Sequence, residues 1–487
     1  MTQLTDRTHA SATHATAGER FRASDALRGG IDAILEALRE AKADITGVRP
    51  PDEALKDRTG EFSKRAENSR GKGLFVPYVG SSVGNGPLVE LVDGSVKYDM
   101  VCGIGPHFFG HSDEDLARTA ITAATSDVQM QGYFQQNADA IEFTELVSRE
   151  AQRNSRMKHV FLCNSGAMAN DNALKIVYQK NHPADRVIAF QDCFMGRSVA
   201  MCQIGDSAAY RQGVPTTIGV DYMPYFDAAA AARMGEGRFI EMSVQHLKWC
   251  LNRYPGKHAA FVFEIVQGEG GYNVAPRKFF TALMELCKEH KIAVWADEVQ
   301  TFGRTGEMFA YESLGLGEYI DVCTIGKLSQ VCAAIFTEEY SPKPGLLSGT
   351  FLGSTVALNV GRRMIERLRS DNLYGESGLI AHHRKLFEAE ARKLADAHPD
   401  WFPEVPGAGV TGGLGGMMRL TPFGGRKDPV NRLVTHAFHE GVVILPCGHD
   451  PYHVRMLPPI PAMRDGDWPK VFAILERAME KTAQETN

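Results

Sequence analysis

The sequence predicts an α/β chain: a mostly parallel central sheet with helices on both faces, joined to a smaller α+β domain. Three observations carry that expectation. At 487 residues the chain exceeds the roughly 250–300 residues that one hydrophobic core normally serves, so a second domain is expected. From residue 160 to 326, short apolar runs alternate with longer amphipathic stretches: VFLCN (160–164), RVIAF (186–190), AAFVFEIV (259–266), IAVWAD (292–297) and DVCTIG (321–326). These runs are rich in Val, Ile, Phe and Ala without strict alternation, as suits strands buried on both faces of a parallel sheet. Beyond residue 355 the pattern changes to long helical stretches (355–369, 376–397, 466–485) around short strands such as GVVIL (441–445).

In chain order, residues 1–22 are polar and irregular and read as a flexible tail. Residues 24–42 place Ile31, Ile34, Leu35 and Leu38 at helical spacing with charged residues opposite. The Gly/Pro/polar stretch 47–73 reads as a connector outside the core. Residues 276–290 (PRKFFTALMELCKEH) predict a helix between two strands, with Phe279, Phe280, Leu283, Met284 and Cys287 on one stripe and Pro276 in its first turn. The expected division is 23–100 as a segment contributing to the small domain, 101–354 as the large domain, and 355–487 as the rest of the small domain.

Composition removes several function classes. Charged residues are 23% of the chain and the net charge is −6, so there is no electrostatic footprint for nucleic acid or anionic lipid. No apolar run approaches the ~18 residues of a membrane span. The N-terminus lacks a secretory apolar core, and Asp6 and Glu19 oppose a transit-peptide reading of its Ser/Thr/Ala bias. Nine cysteines without CxxC spacing predict neither a disulfide framework nor a metal site, and point to a cytoplasmic enzyme.

Ligands in open α/β sheets bind beyond the carboxyl ends of strands. The polar residues ending the buried runs are Asn164-Ser165-Gly166-Ala167, Glu264, Asp297-Glu298-Val299-Gln300 and Gly326-Lys327. A strand-end lysine, partly desolvated, becomes nucleophilic, although Lys327 taken alone reads more readily as a side chain snorkelling to solvent. Asp297 alone reads as a cap or a metal ligand. Together, a strand-end Lys and a strand-end Asp suggest pyridoxal phosphate: the amine forms a Schiff base and the carboxylate keeps the pyridine nitrogen protonated. Ser165, Gly166 and Ala167, ahead of a helix expected to begin near Ala169, offer backbone N–H groups and a helix dipole to a phosphate; a plain tight turn is the alternative. Neither a Walker motif nor GxGxxG is present.

The strings NSGAMANDNALK, CFMGRS, FEIVQGEGG, WADEVQTFGRTG, TIGK, GTFLGS and RMLPPI occur in the order and spacing of the class III pyridoxal-phosphate aminotransferases of fold type I, which the chain resembles over roughly residues 88–480. Within that class, DNALK and GKLSQVC look most like lysine 6-aminotransferase. The resemblance implies that Lys327 holds the cofactor and shuttles the proton, that Asp297 pairs with the ring nitrogen, and that Gln300 bonds the phenolic oxygen. It implies Phe194 and Val299 on opposite ring faces, and Gly166 and Ala167, with Ser165 nearby, at the phosphate. Thr350 would reach the phosphate of a neighbouring subunit, which makes a homodimer with shared sites. Arg455 would fork onto a substrate carboxylate, Glu264 would neutralise Arg455 when the donor brings none, and Arg197 would meet the distal carboxylate of 2-oxoglutarate or form a surface salt bridge.

The implied reaction is ping-pong transfer from a terminal amine, such as that of lysine or a related diamine or ω-amino acid, to 2-oxoglutarate. An aminomutase, racemase or decarboxylase of the same fold, or a non-catalytic cofactor-binding homologue, stands as the alternative. The chain departs from the family at Met195 (usually His), Leu328-Ser329 (usually Gly-Leu), Leu352 and Ser354 (Gly and Asn), and Asp171 (Glu).

Overall fold

The apolar runs lie side by side in one seven-stranded sheet of the computed structural model, which describes residues 15–74 and 76–485. Its strand order is Met157–Cys163, Cys332–Thr337, Val322–Ile325, Ala293–Glu298, His258–Glu264, Arg186–Phe190, Gly219–Met223. The five strands from Val322–Ile325 to Gly219–Met223 are mutually parallel. Cys332–Thr337 runs antiparallel to both of its neighbours. Every residue of His258–Glu264, Ala293–Glu298 and Val322–Ile325 is buried, which is why these strands read as unbroken apolar sequence. Two strands escaped the sequence reading. Gly219–Met223 is a half-exposed edge strand interrupted by Asp221, and Cys332–Thr337 begins with small residues.

Helices cover the sheet. Arg277–Glu289 buries Phe279, Phe280, Leu283, Met284 and Cys287, and Pro276 caps it rather than entering its first turn. Gly166–Lys180 starts three residues before the expected Ala169, because the Ser165 hydroxyl accepts the Met168 N–H at 3.3 Å and caps the helix there.

Two four-stranded sheets flank this body. One is antiparallel and ordered Thr411–Leu414, Met417–Leu420, His453–Met456, Leu445–Cys447. The other joins Gly80–Asn85, Leu88–Leu91 and Val96–Asp99 to Val442–Val443, with Tyr98 opposite Val442. Helices Thr355–Ser370, Leu379–Ala397 and Asp467–Gln484 match the long helical stretches. Asp25–Lys42 buries Ile31 and Leu35, while Ile34 faces solvent.

Of the tail, residues 1–14 lie outside the described residues. Ala17–Arg22 is a helix where irregular chain was expected, because Thr16 and Glu19 close a reciprocal capping box. The connector 47–73 carries the helix Arg58–Arg70, none of whose residues is buried. No described helix is long and apolar enough to cross a membrane, and no described group of three or more His, Cys, Asp or Glu is placed to hold a metal.

Candidate active site

Parallel register decides which charged groups meet. Thr324 lies opposite Asp297 on adjacent strands, so Asp297 and Lys327 emerge at the same carboxyl end. Lys327 leaves its strand through Gly326 with a left-handed backbone, φ 52°, a conformation that costs a lysine roughly 1–3 kcal/mol and persists where the surroundings impose it. Both residues line one cavity of about 240 Å3, together with Gly166, Ala167, Phe194, Glu264, Val299 and Gln300. Eight of the expected site residues are thus brought together, and Ser165 caps the helix that begins at this cavity.

Burial pushes the Asp297 carboxyl up to about 6, against the opposing pull of the Val299 N–H, the Asn170 amide and Lys327. Burial also lowers the Lys327 ammonium, while Asp297 works to hold it up. Asp297 is fixed in place: Oδ1 accepts from the Val299 N–H at 2.9 Å and Oδ2 from Asn170 Nδ2 at 2.7 Å. Asn170 is held in turn. Its Oδ1 accepts from the Thr324 hydroxyl at 2.6 Å, and its Nδ2 also donates to the Met195 carbonyl at 2.8 Å.

At the other end of the cavity the first-turn N–H groups of Gly166 and Ala167 precede any intrahelical acceptor. Backbone approaches closely here. A Cβ on Gly166 would come within 2.7 Å of Val299 Cγ1, and one on Gly196 (φ 116°) within 2.7 Å of Ala167 Cβ. Between the two ends, the Gln300 Oε1 atom is buried without a hydrogen-bond partner. An amine, a carboxylate, a helix-start N–H pair and an unsatisfied amide oxygen around one cavity fit the aldehyde, ring nitrogen, phosphate and phenolic oxygen of pyridoxal phosphate, and the Phe194 ring suits its flat face.

The expected Glu264–Arg455 pair is not formed. Glu264 accepts the Phe194 N–H at 3.0 Å and the Gly268 N–H at 2.8 Å, with burial raising its carboxyl to about 8. Arg455 is paired instead with Glu269, bidentate at 2.7 and 3.1 Å, and donates to the Gly268 carbonyl at 3.3 Å. Glu264 ends a strand and turns inward to organise two loops, whereas Glu269 sits on the following turn, facing the sheet that carries Arg455. Arg197 is exposed, lies over the Tyr210 ring at 4.2 Å, and makes no ion pair among the described residues. Thr350 is exposed and is not among the residues lining its own chain's cavity.

Five residues at the site were not singled out from sequence: Asn170, Gly196, Thr324, Cys332 and Glu269. Asn170 and Thr324 lay inside strings already noted, on a helix and a strand whose contact the linear order does not reveal. Glu269 was in view within QGEGG, five residues past the glutamate chosen.

The family model described as aminotransferase class-III matches residues 75–479. The 4-aminobutyrate aminotransferase of Mycobacterium bovis is 30% identical over 88% of this chain and 95% of its own length. The acetylornithine aminotransferase of Bacillus subtilis is 28% identical over 78% and 90%. The lysine aminotransferase of M. tuberculosis shares the fold, with a TM-score of 0.73 at 21% identity over 86% of this chain and 99% of that one. The chain belongs to the class-III aminotransferases, fold type I transaminases whose cofactor is pyridoxal phosphate.

Proposed function

We propose that this aminotransferase takes its amino group from a terminal amine, that of lysine or a related diamine or ω-amino acid, and delivers it to 2-oxoglutarate in two half-reactions at one site. The observation that carries the reading is the Arg455–Glu269 pair. A transaminase must admit a donor and then a keto acid to the same place. A guanidinium forks well onto a carboxylate, but left bare in a buried site it repels an amine. Glu269 neutralises Arg455 for a donor that brings no carboxylate there, and it gives way to a carboxylate of the acceptor. The names of similar enzymes fit: acetylornithine, 4-aminobutyrate and lysine each carry an amine at the end of an alkyl chain.

The bound cofactor supplies an electron sink conjugated to the amine being moved. The protein's own groups do the rest. Lys327 would hold the cofactor through its amine and would serve as the base for the substrate's proton. Asp297, held by Asn170 and Val299, would keep a proton on the ring nitrogen. Gly166 and Ala167 would donate N–H groups to the phosphate, Gln300 would meet the phenolic oxygen, and Phe194 and Val299 would confine the ring. Arg197, at the rim, meets the distal carboxylate of 2-oxoglutarate.

We further infer a homodimer in which Thr350 reaches the partner's phosphate. Thr350 lies beside the ribbon formed by Met130–Gln131 and Gly353–Ser354, where Met130, Tyr133, Phe134 and Phe351 are all exposed. Such a cluster of large apolar side chains suits a subunit contact. Nine unbridged cysteines fit a cytoplasmic setting. The test is glutamate formation from 2-oxoglutarate with lysine, ornithine, acetylornithine, 4-aminobutyrate and a simple diamine as donors. At least one ω-amine is expected to support turnover; turnover confined to α-amines would overturn the reading.

A further inference from the structure

A second cavity, about 540 Å3 against 240 Å3 for the one holding Lys327, opens between the turn 267–274, the helix Ala228–Met234 and the C-terminal antiparallel sheet. The two cavities share no lining residue. Its inner wall carries Arg419, whose side chain is 6% exposed. Every hydrogen-bond partner of this guanidinium is neutral: the Gly271 carbonyl, Asn273 Oδ1 at 2.9 Å, the Ala408 carbonyl at 3.2 Å and His453 Nε2 at 3.1 Å. His453 stays uncharged, since burial and the neighbouring Arg419 lower it to about 3. Arg419 has no carboxylate within ion-pair distance among the described residues, and its Nε has no partner at all.

The acidic residues at the rim do not supply the missing charge. Asp227 caps its helix by accepting the Ala230 N–H at 2.9 Å, Asp192 faces His449 at 3.4 Å, and Asp450 is exposed to water. Buried charges in proteins are ordinarily compensated by a partner, and a guanidinium's best partner is a planar or tetrahedral oxyanion taken in a fork. Here the compensating anion has room to enter from outside. Arg233, exposed and without an ion pair among the described residues, lies on the same cavity wall and adds a second cation.

We propose that this cavity binds a small oxyanion, a carboxylate or phosphate group, seated on Arg419 and separate from the cofactor and substrate site. The test is calorimetric titration of the holoenzyme with sodium phosphate and, separately, sodium succinate, at ionic strength held constant with sodium chloride. Saturable binding of at least one is expected; binding of phosphate alone or succinate alone identifies which chemistry the site takes. Arg419→Met removes the charge, and Ala228→Trp, a change at an exposed position on the cavity mouth, obstructs entry without touching the buried wall. Each should weaken binding at least about tenfold. Ala228→Trp should leave turnover unchanged, so the result stands even if Arg419→Met fails to fold. Absence of saturable binding by both anions, or binding undiminished in either variant, overturns the proposal.

Discussion

The cofactor cavity and the Arg455 clamp solve opposite problems with buried charge. In the cavity, Lys327 and Asp297 come from adjacent parallel strands and line one space, each shifted by burial toward its neutral form. In the clamp, Arg455 lies in an antiparallel strand of the C-terminal sheet and already holds a carboxylate of its own chain, Glu269. The first region leaves two ionisable groups facing one cavity, whereas the second is an ion pair complete within the chain. What the difference teaches is that one part of the site is pre-organised around a cavity, and that the other would serve, in the proposed reaction, as a reversible switch between two unlike substrates.

The contrast can be broken most severely at Lys327. Lys327→Ala should lower turnover roughly 10⁴-fold while the protein still binds cofactor without a covalent link, read from visible absorbance and a turnover assay; activity near wild type would remove Lys327 from the chemistry.

Asp297→Asn comes next, with turnover down about 100-fold if the carboxylate supports the ring-nitrogen proton by about two pKa units. The cofactor-free chain should respond in the opposite sense. Because burial raises Asp297 from 3.8 to about 6, the folded chain retains a proton between those values that the unfolded chain has lost, so the group costs stability increasingly as pH climbs from about 4 to 6. Above pH 6 the cofactor-free Asn variant should be more stable than wild type by on the order of 3 kcal/mol, and at pH 4 the two should melt alike.

On the clamp side, Glu269→Gln should raise KM for donors lacking a second carboxylate about tenfold while KM for 2-oxoglutarate falls. If both constants moved together, the switch would be refuted. The smallest effect is expected at Thr324→Val, which strips the hydroxyl that links Asn170 Oδ1 and Trp295 Nε1. It should cost about 1–2 kcal/mol in chemical denaturation and lower turnover by less than about tenfold.

Much of the first region was legible in sequence and little of the second. Lys327, Asp297 and the Ser165-Gly166-Ala167 turn each stand at the end of an apolar run, with Gln300 three residues past Asp297, and strand ends in a parallel sheet share one edge. Linear position therefore implies spatial convergence. The clamp obeys no such rule. Glu264 and Glu269 are five residues apart with similar neighbours, and only the path of the intervening turn determines which carboxylate faces Arg455. Asn170 escaped notice for a related reason: a helical asparagine beneath a strand-end aspartate is ordinary until the helix is docked on the sheet.

By itself, the chain's pattern of buried runs and their polar endings determined the α/β architecture and pointed to Lys327, Asp297 and the Ser165-Gly166-Ala167 turn, since local periodicity and strand-end position are properties of consecutive residues; the roles of Gln300, Phe194 and Val299 rested on the family resemblance. Tertiary structure alone decided the partner of Arg455, the support beneath Asp297, the union of Val96–Asp99 with Val442–Val443, and the neutral hydrogen-bond partners of Arg419. Those depend on which side chains, distant in sequence, are brought within a few ångströms once water is excluded and every buried polar group must find a partner.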